Sequence, residues 1–306
     1  MRIAENWKDY GILDTSDGEK LERWGKYVLI RPDPQVIWNT EKKDPLWRQA
    51  NGRYLRSSEG GGHWEEGAGL PQVWQIGYGA LRFALKPMGF KHTGLFPEQA
   101  VNWDWMARKI STANREVRVL NLFAYTGGAT LACAAAGAQV AHVDAARGMV
   151  AWAKENAALS NLAEKPVRWL VDDCAKFVSR EIRRDSRYDA VVMDPPSYGR
   201  GPGGEVWKLE QEIFGLLELC ANVLSETPLF FVLNSYTTGL SPSVMAYLLG
   251  VTVQKRFGGQ VSADEIGLPV LDTGFVLPCG ATALWEAEGS AAAAGKQEAE
   301  YGGHGA

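Results

Sequence analysis

The sequence predicts an α/β protein, a mostly parallel sheet covered by helices, preceded by a region built from β-hairpins. Two patterns carry this expectation. After Val117, short apolar runs alternate with helical stretches, the signature of a parallel sheet with helices on both faces. Before about residue 92, short β-rich pieces such as Lys26–Arg31 are separated by Gly, Pro and Asp turns, and no helical period is visible. With 306 residues, 46% of them hydrophobic and 22% charged, the chain can bury a substantial core as one large domain or two moderate ones.

In chain order, residues 1–92 read as the hairpin region. It contains Trp7, Trp24, Trp38, Trp47, Trp64 and Trp74, which either fill a small core or stack on bases. Residues 93–116 read as a linking segment, helical from Leu95 to about Lys109, with Pro97 and Glu98 in the first turn. The sheet domain spans residues 117–285. Its strands are expected at Val117–Phe123, Gln139–Asp144, Val167–Val171, Ala190–Met193 and Leu229–Asn234. The β region Val251–Trp285 lacks an intervening helix, so an antiparallel closing hairpin is expected there. Residues 286–306 are Ala- and Gly-rich with few apolar anchors and read as a disordered tail.

No run of about 18 apolar residues and no secretory start is present, so a cytoplasmic protein without a membrane partner is expected. Cys133, Cys174, Cys220 and Cys279 are scattered without metal-ligand spacing, which suggests free thiols and no metal. A net charge of −4 argues against an indiscriminate polyanion binder, while leaving room for a local basic surface. Arg180, Arg183, Arg184 and Arg187 recur at helical spacing. They fall in the last turn of a helix leading to a strand's amino end, so they suit the helix C-terminus better than a phosphate contact.

The chemistry sits where strands end. Tyr188–Met193 is a buried strand leading directly into Asp194-Pro195-Pro196-Ser197-Tyr198. Such a loop fixes a carboxylate at the sheet's carboxyl edge, where open α/β sheets bind ligands. Proline donates no N–H and biases the preceding residue to an extended conformation, which leaves the Asp194 and Pro195 carbonyls as acceptors suited to gripping an amino group. Taken alone, the tetrapeptide is a Pro-Pro turn that ends a strand. The first strand, however, leads into Asn121-Leu122-Phe123-Ala124-Tyr125-Thr126-Gly127-Gly128 and then an Ala-rich helix capped by Gly137, a unit that implies a bound cofactor. It is not G-x-G-x-x-G, so a docked pyrophosphate is poorly supported. Asp144 ends the second strand, where an acid can accept both hydroxyls of a ribose. Asp172 and Asp173 end the third, where a carboxylate can accept from an adenine amino group or simply form a surface turn.

Together these features resemble the class I S-adenosylmethionine-dependent methyltransferases, which implies a Rossmann-like, mostly parallel seven-stranded sheet. Over about residues 10 to 285 the chain is similar to the family of large-subunit ribosomal RNA cytosine-C5 and guanine-N7 methyltransferases. The resemblance rests on Asn121–Gly128, on Asp194–Tyr198 and on Lys91-His92-Thr93-Gly94-Leu95-Phe96-Pro97-Glu98-Gln99, a variant of the family's Lys-Thr-Gly…Asp-Gln block near the active site. It implies S-adenosylmethionine as cofactor, contacted by Tyr125, Thr126, Gly127 and Gly128, with Asp144 on the ribose and Asp173 on the adenine. It also implies RNA, ribosomal by analogy, as substrate, catalysis at Asp194, Pro195, Pro196, Ser197 and Tyr198, the last stacked on a base, and substrate contacts from Lys91, Thr93 and Gln99.

The chain departs from the cytosine-C5 branch after its fifth strand. That branch has a Ser-Cys-Ser motif carrying the nucleophile, whereas this chain reads Leu233-Asn234-Ser235-Tyr236. Carbon C5 of cytosine needs thiolate addition, while a ring or exocyclic nitrogen has its own lone pair, so Asn234, counted here among the catalytic residues, favours nitrogen methylation. Cys279 is the alternative nucleophile for carbon methylation. Two other functions stay open: methylation of a protein side-chain amide or a small molecule, and a non-catalytic Rossmann-type binding protein.

Overall fold

The structure is a computed structural model that describes residues 1–57, 61–67, 69–200, 206–237 and 239–288. It divides into two compact units, the first made of Met1–Asn102, Ala151–Ala163 and Glu265–Cys279, the second of Trp103–Val150, Glu164–Asp264 and the chain from Gly280 onward.

In the first unit the strands are β1 (Arg2–Ile3), β2 (Tyr10–Ser16), β3 (Glu19–Trp24), β4 (Tyr27–Pro32), β5 (Gly52–Arg56), β6 (Gly62–Glu66), β7 (Trp74–Tyr78) and β8 (Leu81–Leu85). A short helix α1 (Leu46–Gln49) precedes β5. Strands β2 to β6 form one sheet in sequence order, and β7 and β8 form a separate hairpin. The hairpins follow from polar turns such as Asp17-Gly18, both with positive φ, joining β2 and β3, each of which is partly buried. Leu21, Val28, Ile30 and Trp47 make an apolar cluster. The tryptophans act mainly as packing. Trp24, Trp47 and Trp74 are buried, the Trp47 indole donates to Asp14 Oδ2 at 2.7 Å, and those of Trp7 and Trp38 donate to the Pro97 and Thr15 carbonyls.

This unit is discontinuous, in contrast to the break expected at residue 92. The cause is hydrogen bonding at β8. Arg82 N–H donates to Ser160 Oγ at 2.9 Å and Ala84 N–H to Asn156 Oδ1 at 2.8 Å, while the Trp152 indole donates to the Ala84 carbonyl at 3.0 Å. Residues from a distant helix thus satisfy a strand's open edge. Likewise Leu271 and Asp272 N–H groups donate to the Ile12 and Leu13 carbonyls of β2. After a 3₁₀ turn at Pro97–Gln99 comes α2 (Ala100–Thr112), and the division between the units falls inside it.

The second unit alternates β9 (Arg118–Leu122), α3 (Gly128–Ala135), β10 (Gln139–Asp144), α4 (Arg147–Leu159, shared with the first unit), β11 (Val167–Val171), α5 (Cys174–Arg183) and β12 (Ala190–Met193). A hairpin of β13 (Tyr198–Arg200) and β14 (Val206–Lys208) follows, then α6 (Leu209–Val223), β15 (Phe230–Ser235), α7 (Pro242–Leu249), a π-helical turn (Gly250–Gln254), α8 (Lys255–Phe257), β16 (Gln260–Pro269) and β17 (Val276–Glu286), the last two also shared with the first unit. The main sheet runs β16-β17-β15-β12-β9-β10-β11. Strands β15, β12, β9, β10 and β11 are parallel, while β17 is antiparallel to β15. An eighth, two-residue strand departs from the seven expected: β1 pairs with Ile266 and Gly267 of β16, inside the first unit. The central strands β12 and β15 are buried at every residue, as strands covered on both faces must be.

One stretch expected to be strand is helical. Val251 to Phe257 forms the π turn and α8, burying Thr252 and Val253; packing overrides the β propensity of Val-Thr-Val. The expected tail over 286–306 lies outside the described residues except for Glu286–Glu288. Glu286 itself ends β17 and pairs with Lys109. Among the described residues no helix is long and apolar enough to cross a membrane.

Candidate active site

In this strand order β9 is the switch point. The chain proceeds from β9 to β10 and β11 on one side, then crosses to β12 and β15 on the other. Loops leaving the carboxyl ends of β9 and β12 diverge there, which opens the crevice where α/β sheets take ligands. The loop after β9 is Phe123–Gly127 and that after β12 begins at Asp194. The amino edge, by contrast, is closed by its own polar groups. Asp189 accepts the Arg118 backbone N–H at 2.8 Å, Ser225 Oγ at 2.9 Å and Arg115 at 2.8 Å.

The first loop is a tight left-handed path. Phe123, Tyr125 and Gly127 have φ of 54°, 49° and 91°. Two bulky aromatic residues in this region cost of order 1–3 kcal/mol each, a form of strain concentrated at ligand sites. The Ala124 N–H donates to the Val143 carbonyl at 3.1 Å and the Tyr125 N–H to Asp144 Oδ2 at 2.9 Å, so β10 holds the loop in place. A Cβ at Gly128 would come within 2.6 Å of the Trp103 ring, so only glycine lets α2 approach the start of α3 this closely. Thr126 is buried.

Asp144 closes β10 with one oxygen on Tyr125 N–H and the other on Ala146 N–H at 2.8 Å. Burial raises its carboxyl, and the two backbone donors pull it back down. Each oxygen keeps a second acceptor direction, which suits a vicinal diol. Asp173 has a role that the sequence reading missed. Its Oδ1 accepts the Lys176 N–H at 2.8 Å and caps α5, while Asp172 pairs with Arg180. The signal was present as Asp-x-x-Lys opening an amphipathic run. In the same stripe Arg184 pairs with Glu181 and Arg187 with Asp185, so these cations are tied into the helix and its surroundings.

After β12, Pro195 is buried, Asp194 half-buried and Tyr198 exposed. The Pro196 carbonyl accepts the Trp207 indole N–H at 2.6 Å, and the Ser197 carbonyl accepts Leu209 N–H at 3.1 Å. The Ser197 hydroxyl bonds that of Thr237. Trp207 also packs on Phe123, ring centroids 5.4 Å apart. The sequence reading did not single it out, although a lone Trp a dozen residues beyond an Asp-Pro-Pro was its signal. Asn234, placed among the catalytic residues by the sequence reading, is buried, and its Oδ1 accepts Thr282 Oγ1 at 2.7 Å. Its side-chain oxygen therefore helps to tie β15 to β17 at the end of the strand.

The three expected substrate contacts lie in the first unit. Thr93 is fully buried with its hydroxyl unpartnered, and Gln99 is buried with Oε1 on Asn102 Nδ2 at 2.8 Å. Neither presents its side chain at the surface. Lys91 is half-buried, donates to the Pro32 carbonyl at 3.3 Å, and is lowered to about 8 by burial and by neighbouring Lys20, Arg31 and Arg56, against the pull of Asp33. All four thiols are raised. Burial pushes Cys133 up to about 12 and drives Cys174 and Cys220 higher still. Cys279, also in the first unit, is raised well above its usual value by burial and then by Glu98. None is poised as a thiolate.

A family model for S-adenosylmethionine-dependent methyltransferases matches residues 35–227. A solved SAM-dependent methyltransferase from Agrobacterium tumefaciens is 37% identical, with a TM-score of 0.87 and 93% of each chain covered. A second solved structure, complexed with SAH, shares the fold at 18% identity and a TM-score of 0.68, covering 92% of this chain and 76% of that one. Among curated proteins, ribosomal RNA large subunit methyltransferase K/L of Shewanella sp. (strain MR-4) is 32% identical over 151 residues, 48% of this chain. The chain spans 20% of that relative's length. The left-handed loop, the glycine-only approach at Gly128 and the diol-suited Asp144 fit a nucleoside cofactor, and the chain belongs to the S-adenosylmethionine-dependent methyltransferases, EC 2.1.1.-, with S-adenosylmethionine as its cofactor.

Proposed function

We propose that this chain transfers a methyl group directly to a nitrogen of a base in RNA, with ribosomal RNA as the substrate class. The observation that carries this reading is the Asp194-Pro195-Pro196-Ser197 loop at the switch point, one strand from the cofactor loop. When bound, S-adenosylmethionine supplies an electrophilic methyl group at a sulfonium. Tyr125, Thr126, Gly127 and Gly128 would hold it, with Asp144 on the ribose and Asp173, whose Oδ1 caps α5, offering its other oxygen to the adenine.

The Asp194 carboxylate and the Pro195 carbonyl accept the N–H groups of a planar amino-bearing acceptor. They orient its lone pair in line with the methyl carbon and the departing sulfur. As the nitrogen bonds to the methyl carbon, the carbon–sulfur bond would break with its electron pair leaving on sulfur as S-adenosylhomocysteine; the Asp194 carboxylate would stabilise the positive charge developing on the nitrogen until that nitrogen releases a proton to solvent. Pro196 and Ser197 fix the loop's shape, and exposed Tyr198 offers a ring for the base to stack on.

Nitrogen is favoured over carbon because carbon methylation needs a thiolate, and burial holds all four thiols protonated. RNA is favoured by the name of the curated relatives. The experiment is incubation with methyl-labelled S-adenosylmethionine and either total RNA or total protein. Label in RNA supports the reading, whereas label confined to protein or to small molecules replaces it.

A further inference from the structure

The hairpin of β13 and β14 places one side chain against both loops of the active edge. Trp207 donates its indole N–H to the Pro196 carbonyl at 2.6 Å, and its ring lies 5.4 Å from that of Phe123 at an interplanar angle of 49°. Phe123 opens the cofactor loop with φ of 54°, a conformation an aromatic residue holds only when its surroundings impose it. Its backbone N–H is anchored at Cys174 Sγ, 3.4 Å away, and the indole face braces its ring. The acceptor loop is pinned at the Ser197 carbonyl by Leu209 N–H and at the Ser197 hydroxyl by Thr237. Those two anchors bear on the acceptor loop, while Trp207 bears on both loops. By taking the Pro196 carbonyl, the indole also fixes the peptide that follows the Asp194-Pro195 acceptor pair.

We infer that Trp207 is a positioning residue that couples the cofactor loop to the acceptor clamp. Its ring reads the state of Phe123, and its N–H sets the aim of the Asp-Pro-Pro carbonyls. The inference rests on the reading of Asp194-Pro195 as the acceptor clamp, and it adds a direction of communication: occupancy of the cofactor loop reaches the clamp through one rigid side chain.

The test uses the full chain with ¹⁵N-labelled indoles, the Trp207 resonance being the one missing from Trp207→Phe. Titration with S-adenosylhomocysteine is expected to shift that resonance along the same saturation curve that calorimetry gives. Trp207→Phe keeps a ring against Phe123 but loses the donor, so its affinity for S-adenosylhomocysteine stays within about twofold of wild type. Single-turnover methyl transfer to total RNA at saturating S-adenosylmethionine falls about tenfold, the scale of one hydrogen bond. Trp207→Leu keeps neither contact and also weakens S-adenosylhomocysteine binding about fivefold. A purely structural indole would lower thermal stability in both variants yet leave turnover of the folded Phe variant intact. A Trp207 resonance unmoved at saturating S-adenosylhomocysteine, or wild-type turnover by Trp207→Phe, overturns the inference. If wild-type protein labels no RNA, the RNA reading fails by itself, and the titration still decides the role of Trp207.

Discussion

In the first unit the sheet interior holds charges, whereas in the second the strands are apolar almost throughout and their carboxylates sit at strand ends. Glu22 is fully buried. It accepts Tyr10 Oη at 2.6 Å and Arg31 Nε and Nη2 at 2.6 and 2.8 Å, with Lys20 Nζ 3.6 Å away and also 3.1 Å from Asp33. Burial alone would raise the Glu22 carboxyl, but Arg31 and Lys20 bring it down to about 2. In the second unit the buried polar strand residues are neutral. Asn121 Nδ2 donates to Thr130 Oγ1 at 2.8 Å, and that oxygen lies 2.9 Å from His142 Nδ1. Asp144 ends β10, and Asp173 and Asp194 stand beyond β11 and β12. The difference teaches where ionisable groups can serve chemistry. In the first unit they are spent on one another, while in the second three carboxylates, Asp144, Asp173 and Asp194, lie at the carboxyl ends of β10, β11 and β12.

The largest way to break this contrast is Glu22→Ala, which leaves Arg31 and Lys20 buried without their shared partner. A loss of about 3–5 kcal/mol is expected in urea unfolding. A loss below about 1 kcal/mol would mean that the network is not integral to the first unit.

Acid sharpens the contrast. Burial lowers His92 and His142 to about 3, with Arg31, Lys91 and Lys20 adding to the effect at His92. Between about pH 6.5 and 3 the unfolded chain takes up protons that the folded one refuses. Their stabilisation is complete above 6.5 and declines as pH falls, by about 1.4 kcal/mol per pH unit for each histidine. Glu22, lowered to about 2, adds a further loss in the first unit as pH drops from about 4.5 toward 2. Hydrogen exchange by region is expected to show both units weakening below pH 6.5 and the first unit weakening further below 4.5. Flat stability between pH 7 and 5 contradicts the burial of both rings.

A smaller effect is expected from Asp144→Ala: S-adenosylhomocysteine binding weaker by about 1.5–3 kcal/mol with the fold intact, measured by calorimetry. Unchanged affinity removes Asp144 from the cofactor site. The smallest is Asn234→Ala, a loss of about 1 kcal/mol in stability from the broken tie to Thr282, with S-adenosylhomocysteine affinity unchanged. A large loss of turnover without loss of stability would return Asn234 to the chemistry.

The same contrast governs what the sequence made legible. Strands β10, β11 and β12 fall on the residues expected, and β15 is displaced by one, because largely apolar runs bounded by abrupt changes of composition mark them. The loops after β9, β10 and β12 were legible for the same reason, since their polar residues follow abruptly. In the first unit, buried Glu22 and Arg31 put charges inside β3 and β4, so the class of structure was readable but its register was not. The recruitment of Asn156 and Ser160 by β8 left no local trace. The role of Trp207 was hidden because a carbonyl's partner is a matter of tertiary placement, and the misreading of Val251–Phe257 arose because β-branched residues were taken at their intrinsic preference.

The most direct test of the central claim is to identify the methylated atom. RNA labelled by wild-type protein is digested to nucleosides, and the label is located by chromatography and mass, with Asp194→Ala and Cys279→Ser in parallel. The account predicts label on a base nitrogen, lost by about 10³-fold or more in Asp194→Ala and retained in Cys279→Ser, because the clamp acts in the transition state and no thiolate takes part. Label on a base carbon, abolished by Cys279→Ser and indifferent to Asp194, would contradict it.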